Sequence, residues 1–377
     1  MACLSHFHSI RPPYEMKQED TFDWFIEAHT VSEKTKGLRD EELALFRENL
    51  QDRLRHVGAK SDQIATRGHI LADFLHRDWD RMEIYKLTKF PAGENLSIRL
   101  KYFDAFVDTV FDSYYPAGTA PPDDLIHVTC TGYLSPSGAQ KLVSKRNWGA
   151  ITTVTHAYHM GCYGAFPAIR MGRGFLKNGK HKIDIIHTEV CSIHSNPSLH
   201  QNDQLVSQSL FADGFMKYGL SEETSSPRLK ILAVHEEIIP DSIYSMTWNV
   251  VDWGNQIYLA KEVPVLIARA LKGYLKTLCE KARLPEPILQ RALFAIHPGG
   301  PKILQQIQER LGLSDAQMSY SFRIMKHYGN MSSATLPHIW ELILADPEAE
   351  DRSLLVSLAF GPGLSISGSI MEKSCGS

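Results

Sequence analysis

Strand-like and helix-like patterns alternate through most of this chain, and that alternation restricts it to architectures in which helices cover a sheet. The clearest stretch begins at DLIHVTCTG (124–132), a short apolar run that closes on small residues, followed by a helical pattern at 137–144. AITTVTHAYHM (150–160) is a second β-branched run, and it ends directly at Gly161 and Cys162. A helix is expected from about Ala165, with Pro167 in its first turn, where a missing N–H costs nothing. A strand at 182–190, a helix at 204–210 and a strand at 215–220 follow. The second half keeps the same rhythm: strand 229–238, amphipathic helix 263–282, strand 292–296, and helices at 301–311, 317–327 and from near Ser332. A strand pair, 354–360 and 364–370, is joined by Gly361-Pro362-Gly363. Only the first third reads as helical, over 40–57 and 64–75.

The expected class is therefore α/β. No short-period repeat is visible, but two halves of similar order are compatible with a diverged internal duplication. The most loop-like segment near the middle is SEETSSPR (221–228), which places a boundary between residues 1–222 and 223–377.

The 40 Lys and Arg against 43 Asp and Glu leave a net charge of −3, which argues against a nucleic-acid binder, whose work requires a basic excess or stripe. At 43% hydrophobic and 22% charged, the 377 residues suit a globular fold. No apolar run reaches the roughly 18 residues of a membrane span. The start, MACLSHFHSIRPPYE, lacks the apolar stretch and cleavage site of a secretory signal, so a cytoplasmic protein is expected. The six cysteines are scattered without a CxxC pair, so neither a disulfide framework nor a metal site is indicated.

Three residues stand where elements end. Cys162, in HMGCYGAFPAIR, lies between a strand and a helix, where the helix dipole and free N–H groups are expected to favour a thiolate. His297, in FAIHPGGPKIL, closes a strand before a Pro-Gly-Gly turn. Asn330, in KHYGNMSSAT, sits in a Gly-Asn turn ahead of a helix, a place where Asn also serves simply as a turn residue. A thiolate can accept an acyl group from a thioester, and His and Asn can donate hydrogen bonds to a developing oxyanion or enolate, so the set points to acyl transfer.

The runs GCYGAFPAIR, DQLVSQSLFADG (203–214), FAIHPGGPKIL, HYGNMSSAT and AFGPGLSIS (359–367) resemble, in order and spacing, the type III polyketide synthases, the chalcone and stilbene synthase-like branch of the thiolase superfamily. The resemblance runs from about residue 9 to the end. It implies a five-layered αβαβα thiolase fold of two similar halves, a homodimer, and no metal or organic cofactor. Acyl-coenzyme A or carrier-protein thioesters and malonyl-coenzyme A are the implied substrates. In that reading Cys162 takes the starter acyl group, while His297 and Asn330 support decarboxylation of the malonyl thioester. Phe211 corresponds to a phenylalanine at the junction of tunnel and cavity.

Departures from the family bear on substrate. Ile257 stands for a second gatekeeping phenylalanine, Trp248 for a small cavity residue, and Cys191 and His194 for cavity threonines. These changes imply a reshaped cavity and few extensions. Lys302 matches the basic entrance for coenzyme A phosphates, and Lys60 and Arg67 are looser matches, with Asp62 opposing a phosphate between them. The N-terminal segment looks more like bacterial members than plant ones.

Three competing readings follow from the same residues. A non-decarboxylating acyltransferase would use Cys162 alone, and a non-catalytic partner subunit would ordinarily have lost one of the three residues. A papain-like peptidase also uses Cys, His and Asn in this order, with a spacing of about 130–150 residues. Its local signature is missing here.

Overall fold

The computed structural model describes residues 1–222 and 227–375. Residues 3–10, whose His and Ser interleave with apolar positions, form strand β1 (Cys3–Ile10). It is followed by β2 (Tyr14–Lys17), helix α1 (Gln18–Thr35), α2 (Asp40–Val57), β3 (Thr66–His69) and α3 (Leu96–Tyr114). Then come β4 (Asp124–Thr129), α4 (Gly138–Lys145), β5 (Thr153–Tyr158), α5 (Ala165–Lys177), β6 (Ile183–Glu189), α6 (Asn202–Leu210) and β7 (Gly214–Ser221). The second half holds β8 (Arg228–Ile238), β9 (Met246–Val251), β10 (Gly254–Leu259), α7 (Val263–Ala282), β11 (Leu293–Ile296), α8 (Pro301–Leu311), α9 (Asp315–Tyr328), α10 (Thr335–Ala345), β12 (Leu354–Gly361) and β13 (Ser365–Ser374).

Nine strands hydrogen-bond in the order β11-β12-β13-β8-β1-β7-β6-β4-β5. The run β4-β6-β7-β1 is parallel, antiparallel, antiparallel. The run β11-β12-β13-β8 has the same order and senses. Strand β1 joins the two, because Leu4 pairs with both Leu220 and Leu229.

Alternation along each strand divides its apolar residues between two faces. Leu125 and Ile186 pack on α1, α3 and α4, with Trp24, Phe25, Phe103 and Leu142. Ile126, Val128, Ile185, Leu355 and Ala359 turn instead to a central layer made by Phe166 and Ile169 of α5 and Leu336 and Trp340 of α10. Phe294, Val356 and Leu358 face α7 and α8 through Leu271, Tyr274, Leu304 and Ile307. The order is helix, sheet, helix, sheet, helix. The central helices are largely apolar on both sides because sheet covers both, and the buried polar tip of Trp340, Nε1, donates to Ser357 Oγ at 2.8 Å.

Three expectations need correction. The helix expected over 64–75 is strand β3 and a 3-10 turn, Ala72–Leu75. β3 is held by β2, with Tyr14 opposite His69. The Asp73 carboxylate accepts from the N–H groups of Glu83, Ile84 and Tyr85, and so ties down the loop that follows. Strand β1 escapes period-2 reading because its register shifts between Ser5 and His8, with His6 at φ 54°. The β9–β10 hairpin, with Trp248 opposite Ile257, also had no strand assigned to it from the sequence. The expected boundary between residues 222 and 223 touches 223–226, which lie outside the described residues.

Candidate active site

β5 ends at Tyr158, and the chain turns through a 3-10 segment, Gly161–Tyr163, before α5 begins. Gly161 has φ 75°, and a Cβ there would stand 2.4 Å from Pro362 Cδ. The glycine is thus required twice, by its left-handed backbone and by the Gly361-Pro362-Gly363 turn that packs on it from the other half. Its N–H donates to Cys130 Sγ at 3.0 Å. Gly161→Ala is expected to cost about 1–3 kcal/mol of stability and to shift the Cys162 turn. Thermal unfolding together with the Cys162 alkylation rate reads both effects.

The structure brings Cys162, His297 and Asn330 to the wall of one cavity, together with Phe211, Leu210, Met246, Ile257 and Phe360. Cys162 is part-exposed into it. Burial, then the charge of Glu189, pushes its thiol up to about 12, against hydrogen bonds from Ser332 and Asn330 that favour the thiolate. The depressed thiol expected from a helix N-terminus is therefore not found. Cys162 precedes α5 by a whole 3-10 turn, and desolvation outweighs the dipole.

His297 follows β11, and its backbone N–H donates to Leu358 O at 2.8 Å. Its ring is buried, both nitrogens lack a partner, and burial pushes the imidazole down to about 3. At that value the ring is neutral and a weak base, so what it offers the cavity is one N–H donor and one lone pair. Asn330 is fixed on both sides: its N–H donates to Leu210 O and its carbonyl accepts from Ala212 N–H, both at 2.9 Å. Its Oδ1 accepts from Ser332 N–H at 2.9 Å, which turns the amide hydrogens toward Cys162 and the cavity. Phe211 is bridged to Asn330 in parallel sense, which holds the residue at the cavity junction beside the amide.

The residues expected on the substrate side fall in two groups. Cys191, Phe211, Trp248 and Ile257 line a second cavity shared with Cys130, Cys162 and Ser332. Trp248 lies against Phe211, ring centroids 6.1 Å apart, and its Nε1 donates to Cys130 O at 2.8 Å. His194 is a brace, with Nε2 donating to Thr131 O at 2.8 Å and Nδ1 accepting from Asn255 N–H at 3.1 Å. Burial pushes it down to about 3. Lys302 is exposed in the first turn of α8, in a groove with Lys261 that shares Leu210, Leu259, Gly299 and Ile303 with the Cys162 cavity. Lys60 is exposed beside Ala59, which lines the same groove. Arg67 is a correction: it is 5% exposed and lines an interior cavity, not the entrance. Strand β3 points it inward, where Nη1 donates to Gln208 O and Phe211 O at 2.7 and 2.8 Å.

Glu189, Ser332 and Ser333 were not singled out in the sequence. Glu189 is fully buried, with its carboxylate accepting from Cys130 N–H at 3.0 Å, Thr131 Oγ1 at 2.9 Å and Ser333 Oγ. Burial raises its carboxyl. A glutamate closing the isoleucine-rich run IDIIHTE was the available signal.

Fold and site together define a thiolase-type α/β protein with a cysteine at the centre of a cavity. Residues 230–374 match the family described as chalcone and stilbene synthases, C-terminal domain. The chain is 29% identical over 261 residues to probable polyketide synthase 1 of Dictyostelium discoideum, which covers 66% of this chain and 8% of that protein. It is 26% identical over 319 residues to polyketide synthase 37 of the same organism, covering 81% and 11%. The chain thus spans about a tenth of the length of these relatives. The C-terminal type III polyketide synthase domain of Steely1, a type I/III hybrid from Dictyostelium, superposes with a TM-score of 0.80 at 21% identity, covering 99% of each chain. Over residues 230–374 the chain is thus similar to chalcone and stilbene synthases, and its fold is that of the Steely1 domain. That similarity and fold leave the papain-like reading without support.

Proposed function

We propose that this protein is a condensing enzyme that loads an acyl thioester on Cys162 and extends it by decarboxylative Claisen condensation with a malonyl thioester. The observation that carries the reading is the convergence of Cys162, His297 and Asn330 on one cavity from three separate elements.

His297 takes the Cys162 proton, and the thiolate attacks the acyl carbonyl. The tetrahedral intermediate expels the carrier thiolate, leaving the acyl group on sulfur. A malonyl thioester then enters, its carboxylate leaves as CO2, and the electron pair moves onto the thioester oxygen. The Asn330 amide and the protonated or Nε2–H form of His297 donate to that oxygen, and because both are held in place they stabilise the enolate without reorganising. The enolate carbon attacks the Cys162 thioester. A C–C bond forms, the C–S bond breaks, and the chain returns two carbons longer on the malonyl carrier.

In this reading Lys302, with Lys261, meets the phosphates of coenzyme A at the groove mouth, or the phosphopantetheine of a carrier protein. Trp248 and Ile257 narrow the space beside Phe211, which favours few extensions and a short polyketide, pyrone, resorcinol or β-keto product. We read residues 1–222 and 223–377 as two thiolase-like halves of a cytoplasmic homodimer that needs no metal or organic cofactor. No helix among the described residues is long and apolar enough to cross a membrane.

Intact-protein mass spectrometry after incubation with acyl-coenzyme A thioesters, acetyl through long-chain and aromatic, tests the proposal. The expected result is an acyl adduct that malonyl-coenzyme A discharges or lengthens by acetate units. An adduct indifferent to malonyl-coenzyme A but discharged by an amine or alcohol would make the protein a simple acyltransferase.

A further inference from the structure

Beyond Phe211 lies an interior cavity lined by Arg67, His69, Gln208, Phe211, Trp248 and Ile257, among others. It shares Cys191, Phe211, Trp248 and Ile257 with the cavity that Cys162 enters, so an acyl chain on that sulfur that passes Phe211 and Trp248 reaches it.

Arg67 is the unusual residue there. It is 5% exposed, and no carboxylate is paired with it among the described residues. The nearest acid along the adjoining backbone, Asp213, is occupied by Ile70 N–H at 2.8 Å and by Ser192 N–H and Oγ at 2.7 and 2.6 Å. Burial pushes the guanidinium down to about 9, which still leaves it charged at neutral pH. Both Nη1 bonds go to carbonyls at the C-terminal end of α6, a capping role that accounts for that nitrogen alone. Nε and Nη2 have no partner among the described residues and almost no accessible surface, so a ligand group that reaches them does so by displacing a neighbouring side chain. These two nitrogens present parallel N–H groups along one edge of the guanidinium, the edge that grips a carboxylate with two bonds. A buried cation with that edge free is costly unless an anion completes it.

We propose that this cavity is a subsite for an acyl chain whose far end is a carboxylate, gripped by the Nε and Nη2 edge of Arg67. The inference rests on acyl loading at Cys162. It adds a substrate class: monothioesters of dicarboxylic acids, in preference to methyl-ended chains of the same length. Phe211 couples the two sites, because its carbonyl accepts from Arg67 and its backbone is bridged to Asn330.

The test compares succinyl-, glutaryl- and adipyl-coenzyme A with butyryl-, valeryl- and hexanoyl-coenzyme A as acyl donors to Cys162, by rate of adduct formation. The expected result is a preference of at least roughly tenfold for the carboxylate member of one matched pair. Arg67→Gln should abolish that preference and Arg67→Lys should keep part of it, since charge survives without the paired edge. Equal or faster loading of every methyl-ended partner by the unaltered protein overturns the inference, whatever the variants do. If nothing acylates Cys162, the loading mechanism fails instead, and calorimetric binding of glutaryl- against valeryl-coenzyme A to Cys162→Ala decides the subsite on its own. Tighter glutaryl binding that Arg67→Gln removes supports it, and equal binding rejects it.

Discussion

Cys162→Ala is expected to fold normally and to take up no acyl group, with turnover falling by roughly 10⁴-fold or more. The substitution removes one part-exposed sulfur from a turn whose geometry is set by Gly161 and by Pro362 packed against it, so the melting temperature should hardly move. Two other thiols, Cys130 and Cys191, line the same cavity region and could in principle substitute. Both are fully enclosed, and burial raises them well above the ordinary thiol range. Cys130 Sγ, moreover, is already engaged by Gly161 N–H. Cys130→Ala and Cys191→Ala should therefore still form the adduct. An adduct that persists in Cys162→Ala, or that disappears in Cys191→Ala with the fold intact, assigns the nucleophile elsewhere.

Variants of His297 and Asn330 should fail at different steps. Left to burial and Glu189, the Cys162 thiol titrates near 12, so the thiolate fraction drops about tenfold for each pH unit below that. Each value reflects burial of an isolated charge; in the proposed mechanism the thiolate and the imidazolium form together, so each offsets the other's desolvation, which lowers the thiol and raises the His297 ring. Iodoacetamide should alkylate Cys162 in the unaltered protein at neutral pH roughly 10 to 100 times faster than in His297→Ala. In His297→Ala the rate should climb about tenfold per pH unit between pH 8 and 11, as expected for a lone thiol whose pKa is raised. Asn330→Ala should leave acyl loading within about tenfold and reduce malonyl decarboxylation by roughly 10²–10³, the usual effect of removing one fixed donor from a developing anion. Identical pH profiles in the unaltered protein and His297→Ala would remove the histidine from the loading step. Loss of loading and decarboxylation together in Asn330→Ala would make the asparagine a structural support.

How much of this was legible beforehand depends on how local the cause is. Helices α2 (Asp40–Val57) and α7 (Val263–Ala282) lie where the apolar spacing and the flanking residues put them, because those signals act within a turn or two of helix. Strands β4 and β6, buried on both faces, stood out as continuous apolar runs. Strand β1 did not, since its place beside β7 and β8 depends on partners more than 200 residues away and its own alternation is interrupted at His6. β3 was misread because four residues of mixed pattern carry no period of their own, and its partner β2 settles the matter.

The same division holds for the site. By itself the sequence determined the candidate nucleophile, the histidine after a strand, the asparagine after a turn and the α/β order, since each is written in neighbouring residues whose chemistry acts locally. Only the tertiary structure decided that Cys162, His297 and Asn330 share a cavity, that Pro362 buttresses the cysteine turn, and that Arg67 turns inward with one edge unpaired. It also decided the protonation of the site, because the desolvation that raises Cys162 and holds His297 neutral comes from side chains brought together by the meeting of the two sheets. Burial is a property of the whole packed chain, and no run of neighbouring residues encodes it.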